Sequence, residues 1–388
     1  MKKKVLHVFV NAFYSSGKSI SGGDMRIVEF INKWTRTARD FDIILYSPNK
    51  FRTYINEDSL DKIEIRDTTE SSKISGRLIL TYLYRTIRVK KLIKCSKEYD
   101  NVFYSSSDFF PDIIPAKRSA KRYGGRWYAT VHHIIESPNT RPGNKIRNII
   151  AYLEQQVSLK MIMRHADKIL VVSPLVEKYF IDHGVSPERI VKVLNGVNID
   201  YMDSIEPSFE ENFDGVFFAR LAPSKGIYEL ADIWAKVCNK IPGAKLAIIG
   251  GGSESVKQEL LSMFMDKGIG ENVKIYGFLD SQRAYSIMKS SKVFVFPSHE
   301  EGWGITVAEA MACRLPVVSY DLPVFPHVFP GLLDSVSFKD TNAFSGSIVK
   351  LLMDDNKRKE MADKGYDYVS GHYTWERAAK VEQEALDL

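Results

Sequence analysis

Glu301 and Glu309 stand eight positions apart in the stretch HEEGWGITVAEAMACRLPVVSY, residues 299–320. Gly302 and Gly304 lie between them, and the apolar run Val293–Phe296 ends just before them at Pro297 and Ser298. This order predicts a strand, a turn loosened by glycine, and a helix that begins near Ile305 and continues through Ala312. The free N–H groups and positive dipole end of such a helix suit a phosphate. A carboxylate cannot favourably contact that phosphate, but it can accept hydrogen bonds from hydroxyls on either side. Sugar hydroxyls, a diphosphate and ribose hydroxyls in sequence would satisfy all of these groups. The plainer alternative is that both acids only favour the helix start. That alternative fits Glu309 less well, because it lies about one turn inside, too deep for much dipole benefit.

Other residues suggest chemistry more weakly. Ala12–Ser19 (AFYSSGKS) nearly matches a triphosphate-binding loop, but Ala12 replaces its first glycine. Gly250–Ser255 (GGGSES) follows a strand and has Ser255 where a dinucleotide fingerprint needs glycine, so it reads as a turn after a strand. Asp40 and Asp42 have metal-pair spacing but precede a strand, so they read as a solvated loop. His132 and His133 are adjacent and would face opposite ways, so they cannot chelate one ion together.

The elements that must position these residues alternate. Strand-like runs at Val5–Val10, Ile43–Tyr46, Val102–Tyr104, Tyr128–Val131, Ile169–Val172 and Ile190–Leu194 are followed by a second set. That set comprises Gly215–Ala219, Lys245–Ile249, Val273–Tyr276, Val293–Phe296 and Pro316–Ser319. Amphipathic stretches such as Ile227–Val237 and Ser255–Met265 lie between them. Continuous apolar strands separated by helices imply parallel sheets covered on both faces. Asp203–Gly215 (DSIEPSFEENFDG) is acidic and reads as a linker between the two copies of the pattern. An α/β protein of two doubly wound domains facing each other across a cleft is expected, with ligands beyond the carboxyl ends of the strands.

The 388 residues suffice for two such cores, and no apolar run reaches membrane-spanning length. The basic N-terminus leads into a first strand rather than a long apolar leader. Three scattered cysteines, Cys95, Cys238 and Cys313, give neither a disulfide framework nor zinc spacing, and favour the cytoplasm. Residues 1–200 hold 34 basic and 21 acidic residues, net +13; the remainder holds 20 and 27, net −7. Opposite signs suggest different partners for the two halves. Lys73–Lys94 carries seven basic residues and no acid. As a helix it places Arg77, Arg85, Arg88 and Lys91 on one side, and Leu78, Ile79, Tyr82, Val89 and Ile93 on the other. Two readings of that helix remain: a core helix with a solvated basic face, or a basic face laid on an anionic membrane.

Taken together, these stretches resemble retaining glycosyltransferase family 4, of GT-B fold, over nearly the whole chain. EGWGITVAEAMACRLPVVSYDLP resembles its signature of two glutamates, and Phe218–Leu230 (FARLAPSKGIYEL) its phosphate-binding Arg and Lys motif. Ser21–Phe30 (SGGDMRIVEF) is similar to its glycine-rich first loop. Leu194–Asn198 (LNGVN) resembles the end of its first domain, and Tyr373–Ala379 its C-terminal helix. His132 matches the family histidine, while His133 replaces an acid and Arg314 a usual glycine.

The resemblance implies a GT-B enzyme with two Rossmann-like domains. Residues 1–198 would bind the acceptor, with a helix at about 372–388 packed back on them. Residues 199–371 would bind the donor. It further implies transfer of a sugar from a UDP- or GDP-sugar to a glycan or lipid-linked acceptor, with no metal and no cofactor. Arg220 and Lys225 would neutralise the departing diphosphate, Glu301 hold the sugar, Glu309 the ribose diol, and His132 a sugar hydroxyl. Gly22 and Gly23 would let backbone approach the donor phosphate, and the backbone at Phe278 would meet the base. Gly302, Trp303, Gly304, Ile305 and Thr306 would line the phosphate site. The expected location is the cytoplasm, with a membrane's cytoplasmic face as a second possible site. Rival readings are an epimerase acting on the nucleotide sugar alone, and a non-catalytic binder of nucleotide sugars or nucleic acid. No nucleic-acid motif supports the last.

Overall fold

The structure, a computed structural model, describes residues 2–14, 20–37, 39–70, 77–139, 141 and 144–388. The near-match Ala12–Ser19 falls partly outside them, as does the start of Lys73–Lys94. The chain divides into two compact units. Among described residues, unit 1 holds those up to Asn195 together with Trp375–Leu388, and unit 2 holds Gly196–Thr374.

Unit 1 begins β1 (Lys4–Phe9), α1 (Gly22–Trp34), β2 (Phe41–Ser47), α2 (Asn49–Arg52), α3 (Glu57–Leu60), β3 (Glu64–Asp67) and α4 (Leu78–Leu92). It continues with β4 (Asp100–Ser105), α5 (Phe110–Tyr123), β5 (Arg126–Val131), α6 (Lys145–His165), β6 (Lys168–Val171), α7 (Pro174–Asp182) and β7 (Ile190–Lys192). Unit 2 begins α8 (Ile199–Asp203), β8 (Phe213–Phe218), α9 (Glu229–Lys240), β9 (Leu246–Ile249), α10 (Glu254–Asp266), β10 (Val273–Gly277) and α11 (Ser281–Lys289). It ends β11 (Ser291–Phe296), α12 (Ile305–Ala312), β12 (Val317–Tyr320), α13 (Phe325–Val328), β13 (Asp334–Val336), α14 (Thr341–Met353) and α15 (Asp355–His372). The last helix, α16 (Trp375–Ala385), belongs to unit 1.

The two sheets run β3-β2-β1-β4-β5-β6-β7 and β10-β9-β8-β11-β12-β13, and every described pairing is parallel. In each, the order reverses beside the unit's first strand, β1 or β8, which is where such sheets bind ligands. The central strands are apolar throughout because helices cover both faces. In unit 1, Val89 of α4, Ile113 of α5, Ile162 of α6 and Phe180 of α7 pack into one core with Val5, Phe9 and Phe103.

The C-terminal helix returns to unit 1 because its buried face, Trp375, Ala378, Ala379 and Glu382, matches that of α1. Trp34 Nε1 donates to the Ala379 carbonyl at 2.9 Å. Arg26 grips Glu382 with both terminal nitrogens, at 3.0 and 2.5 Å, where neither side chain meets solvent. Tyr104 adds a bond to the same carboxylate at 2.6 Å.

Several sequence expectations need correction. Asp203–Gly215 is not a linker between the units: it lies within unit 2, where Glu211 accepts from Tyr276 at 2.6 Å and pairs with Lys274 and Arg283. The edge strands β3 and β13 have no counterpart among the apolar runs, because they are short, polar and half-exposed. The helix from Leu78 keeps the expected faces only in part: Val89 and Ile93 are buried and Arg77 and Lys91 exposed, as expected. Arg85 is buried, donating to the Asn11 carbonyl at 2.9 Å and the Phe13 carbonyl at 2.5 Å and pairing with Glu70 at 2.7 Å. Leu78 and Ile79, expected inside, are exposed.

Candidate functional site

In unit 2 the site grows from the carboxyl end of β11. Beyond Phe296 the chain reaches Ser298, whose hydroxyl donates to Glu301 Oε1 at 2.9 Å. Lys225 Nζ meets the same oxygen at 2.6 Å. Lys225 does not stand on the helix expected at Ile227. It closes a short 3₁₀ turn, Pro223–Lys225, ahead of α9. Glu301 Oε2 has no bond within the described residues. The carboxylate is thus fixed in direction by two donors and keeps an oxygen for a hydroxyl.

α12 then starts on Gly304, at φ +103°, a conformation side chains rarely adopt. A Cβ there would also lie 3.1 Å from Phe325 and 3.2 Å from Phe329. No side chain caps this helix and its first turn carries no acid, so its leading N–H groups remain open to an anion. Gly302, Ile305 and Thr306 are half-exposed around that start. Trp303 is buried edge-on between Tyr373 and Phe329, at ring separations of 4.7 and 5.5 Å, so it can offer a ligand only its backbone. Arg220 is exposed just past β8, and its guanidinium has no partner among the described residues.

Glu309 projects from the second turn of α12. Tyr285 of α11 donates to its Oε1 at 2.7 Å. Burial pushes its carboxyl up to about 7, against the opposing pull of that hydrogen bond. Phe278 is 43 % exposed and follows Gly277 at the end of β10. Arg220, Lys225, Phe278, Glu301, Gly302, Gly304 and Glu309 thus all belong to the loops and helix starts that follow strands of one sheet.

In unit 1, His132 follows β5 and Gly22 opens α1. His132 Nε2 donates to the Ser106 carbonyl at 3.0 Å, which leaves Nδ1 with a free lone pair. Burial, with the nearby Arg26 charge, holds the imidazole down to about 3, so it is neutral at ordinary pH. A Cβ on Gly23 would lie 3.0 Å from His132 Nε2, so the glycine is needed for this close approach. Ser21 caps α1 by accepting from Asp24 N at 3.2 Å, and its hydroxyl donates to Asp24 Oδ2 at 2.6 Å. Burial raises Asp24 to about 6.

Sequence reasoning missed the supporting groups. Tyr285 and Ser298 orient the two glutamates, yet neither belongs to a recognisable spacing with them. Around the loop after β1, Asp112 accepts from Asn11 N at 2.5 Å and Ala12 N at 3.2 Å, and burial lifts it to about 8. Beside His133, Gln155 links the His133 carbonyl to Asp108, at 2.8 and 2.7 Å. A buried acid therefore stands near the position where the expected acid is replaced by histidine.

The family model for Glycosyl transferases group 1 matches residues 200–368, and that for Glycosyltransferase Family 4 matches residues 20–201. The chain belongs to glycosyltransferase family 4. An uncharacterized glycosyltransferase of Methanocaldococcus jannaschii is 29% identical over 69% of this family member and 66% of the relative, so the match spans just under two thirds of that protein. O-antigen chain mannosyltransferase B of Escherichia coli is 22% identical over 82% of this chain and 84% of its own. Among solved structures, Anabaena HepE in complex with UDP-glucose aligns with a TM-score of 0.74 at 17% identity, covering 99% of this chain and 100% of that one. This likeness shows the fold alone: two parallel-sheet α/β units of the GT-B type.

Proposed function

We propose that this family member moves a sugar, with retained anomeric configuration, from a UDP- or GDP-sugar to a glycan or lipid-linked acceptor, without a metal ion. The observation that carries this reading is the uncapped start of α12 beside the Glu301–Lys225 pair, with Arg220 exposed and without a partner among the described residues. The diphosphate gains negative charge as it departs. Preorganised cations and backbone N–H groups stabilise that charge more in the transition state than in the ground state. Arg220 and Lys225 take this role, together with the backbone of Gly302–Thr306. Glu301 accepts from donor-sugar hydroxyls through its unbonded oxygen, and Glu309 from the ribose diol. His132 offers its Nδ1 lone pair to a sugar hydroxyl. Gly22 and Gly23 let backbone approach the phosphate, and the backbone at Phe278 meets the base.

Support for the donor class comes from the relatives' names: one is a mannosyltransferase, and a neighbour in fold is seen with UDP-glucose. The proposed partners are this donor, a glycan or lipid-linked acceptor and an anionic membrane surface on the cytoplasmic side; nucleic acid is not among them. The test is turnover of a panel of UDP- and GDP-sugars with glycan and lipid-linked acceptors in EDTA, with the product's anomeric proton read by NMR. Retained configuration and full activity in EDTA are expected. An inverted product, or activity that needs added Mg²⁺, would overturn the mechanism. Epimerised donor without acceptor would favour the rival enzyme.

A further inference from the structure

Among the described residues, ten of the twenty exposed large hydrophobic side chains lie on just two helices, α4 and α6. On α4, Ile79, Leu83 and Ile87 recur every fourth residue and are 52, 48 and 58% exposed. On α6, Ile149, Leu153 and Val157 repeat the pattern at 45, 57 and 63%. Each set is an apolar stripe on the outer side of a helix whose inner side is already packed. The stripes are neighbours across the start of α5. Tyr82 of α4 meets the Phe110 ring at 5.8 Å, and Phe110 N donates to Glu154 of α6 at 2.8 Å.

The charge around these stripes has one sign. The α4 helix has no acid, the only acid of α5 is the buried Asp112, and the only acid of α6 is Glu154, engaged by Phe110. Each helix ends in cations instead: Lys90 and Lys91 on α4, Lys121 and Arg122 on α5, Arg164 on α6. Lys117 is held below its ordinary pKa by partial burial and by Lys121 and Arg118, and His165 by partial burial and by Lys117 and Arg164. These ends therefore crowd positive charge, and none of these cations has an ion pair among the described residues. A protein interface would be expected to carry aromatic anchors among mixed charges. Aliphatic stripes rimmed by lysine and arginine match the composition of surfaces that lie in the headgroup region of a bilayer.

We propose that this face of unit 1 docks on an anionic lipid bilayer. The stripes of α4 and α6 enter the acyl boundary, and the basic helix ends reach the headgroup phosphates. The contact is thus not the basic face expected from the sequence, since Arg85 of that face is buried. The inference takes from the preceding reading only the membrane as partner. Its test includes no transferase step, so the two can fail separately.

The full-length protein is sedimented with vesicles of phosphatidylglycerol mixed with phosphatidylcholine, and with phosphatidylcholine alone. Binding to the anionic vesicles is expected, weakened but not abolished by salt because the aliphatic contribution is not screened. Leu83→Asp combined with Leu153→Asp should lower the partition coefficient about tenfold or more. The milder Leu83→Ser and Leu153→Ser pair should lower it in the same direction, and an unchanged melting temperature shows that the fold is intact. Absence of binding at low salt, or undiminished binding by either variant pair, overturns the proposal. So does a wild-type dimer in gel filtration that the Asp pair dissociates while vesicles capture neither form; the face would then join two copies of the chain.

Discussion

Two helix starts, one in each unit, follow strands at comparable places in their sheets and are built in opposite ways. The α1 helix opens on Ser21, whose hydroxyl accepts from Asp24 N while Asp24 brings its own carboxylate to the first turn. The α12 helix opens on Gly304 in a left-handed conformation, uncapped and with no acid in its first turn. The first start brings an acid to its own dipole and caps one of its N–H groups, that of Asp24. The second has neither a side-chain cap nor an acid of its own, an arrangement that suits an external anion. By the start of α12 Lys225 pairs with Glu301, and Arg220, just past β8, has no partner among the described residues; next to α1 stands a neutral histidine. On the proposed reading, the side chains that compensate charge belong to unit 2, while unit 1 offers the phosphate only backbone.

Removing the cations should have the largest effect on this contrast. Arg220→Ala or Lys225→Ala should lower kcat about 10²–10³-fold with a smaller change in KM, as for other groups that stabilise transition-state charge. An equal loss after a neutral substitution in the first turn of α1 would erase the contrast.

Glu309→Gln comes next. Loss of a charged hydrogen bond should weaken donor binding by ~1.5–3 kcal/mol, read by calorimetry. Stability should move the other way at high pH. Glu309 titrates at about 7 in the fold against 4.5 for an unperturbed glutamate, so the folded state binds more protons between those values. Its contribution to stability is therefore greatest below pH 4.5 and falls as pH rises to about 7. Glutamine lacks that fall and keeps the Tyr285 bond. The variant should thus melt higher than wild type at pH 8, and the difference should shrink toward pH 5.

Gly304→Ala should cost about 1–3 kcal/mol of stability, measured by denaturant unfolding, because it forces a side chain into the left-handed region against Phe325 and Phe329. The smallest effect should come from Ser21→Ala. Loss of this cap should cost about 1 kcal/mol and leave turnover near that of wild type. If turnover fell as far as in Arg220→Ala, the Ser21 cap itself would be chemical rather than structural.

How much of this the sequence disclosed depended on the range of the interactions. The α12 helix was legible to the residue, because an apolar run, Pro297, two glycines and small helix formers are all local signals. The orienting groups were not. Tyr285 reaches Glu309 from another helix, and nothing in their separation of 24 residues marks the pair. In α4, periodicity placed Val89 and Ile93 inward but did not show how far the helix is rotated about its axis. That was decided by Arg85, whose partners Glu70, Asn11 and Phe13 are distant in sequence. Edge strands β3 and β13 escaped for a simpler reason: each has too little buried surface to write an apolar run.

The central claim is that unit 2 holds a diphosphate by cations and the open start of α12. Calorimetric titration of the wild-type protein and Arg220→Ala with UDP, UMP, GDP and GMP, all in EDTA, tests it most directly. One nucleoside diphosphate should bind at least about tenfold more tightly than its monophosphate, as expected for an added charge-assisted contact. That preference should collapse in Arg220→Ala. Equal affinity for diphosphate and monophosphate, or binding that appears only when Mg²⁺ replaces EDTA, would contradict the account.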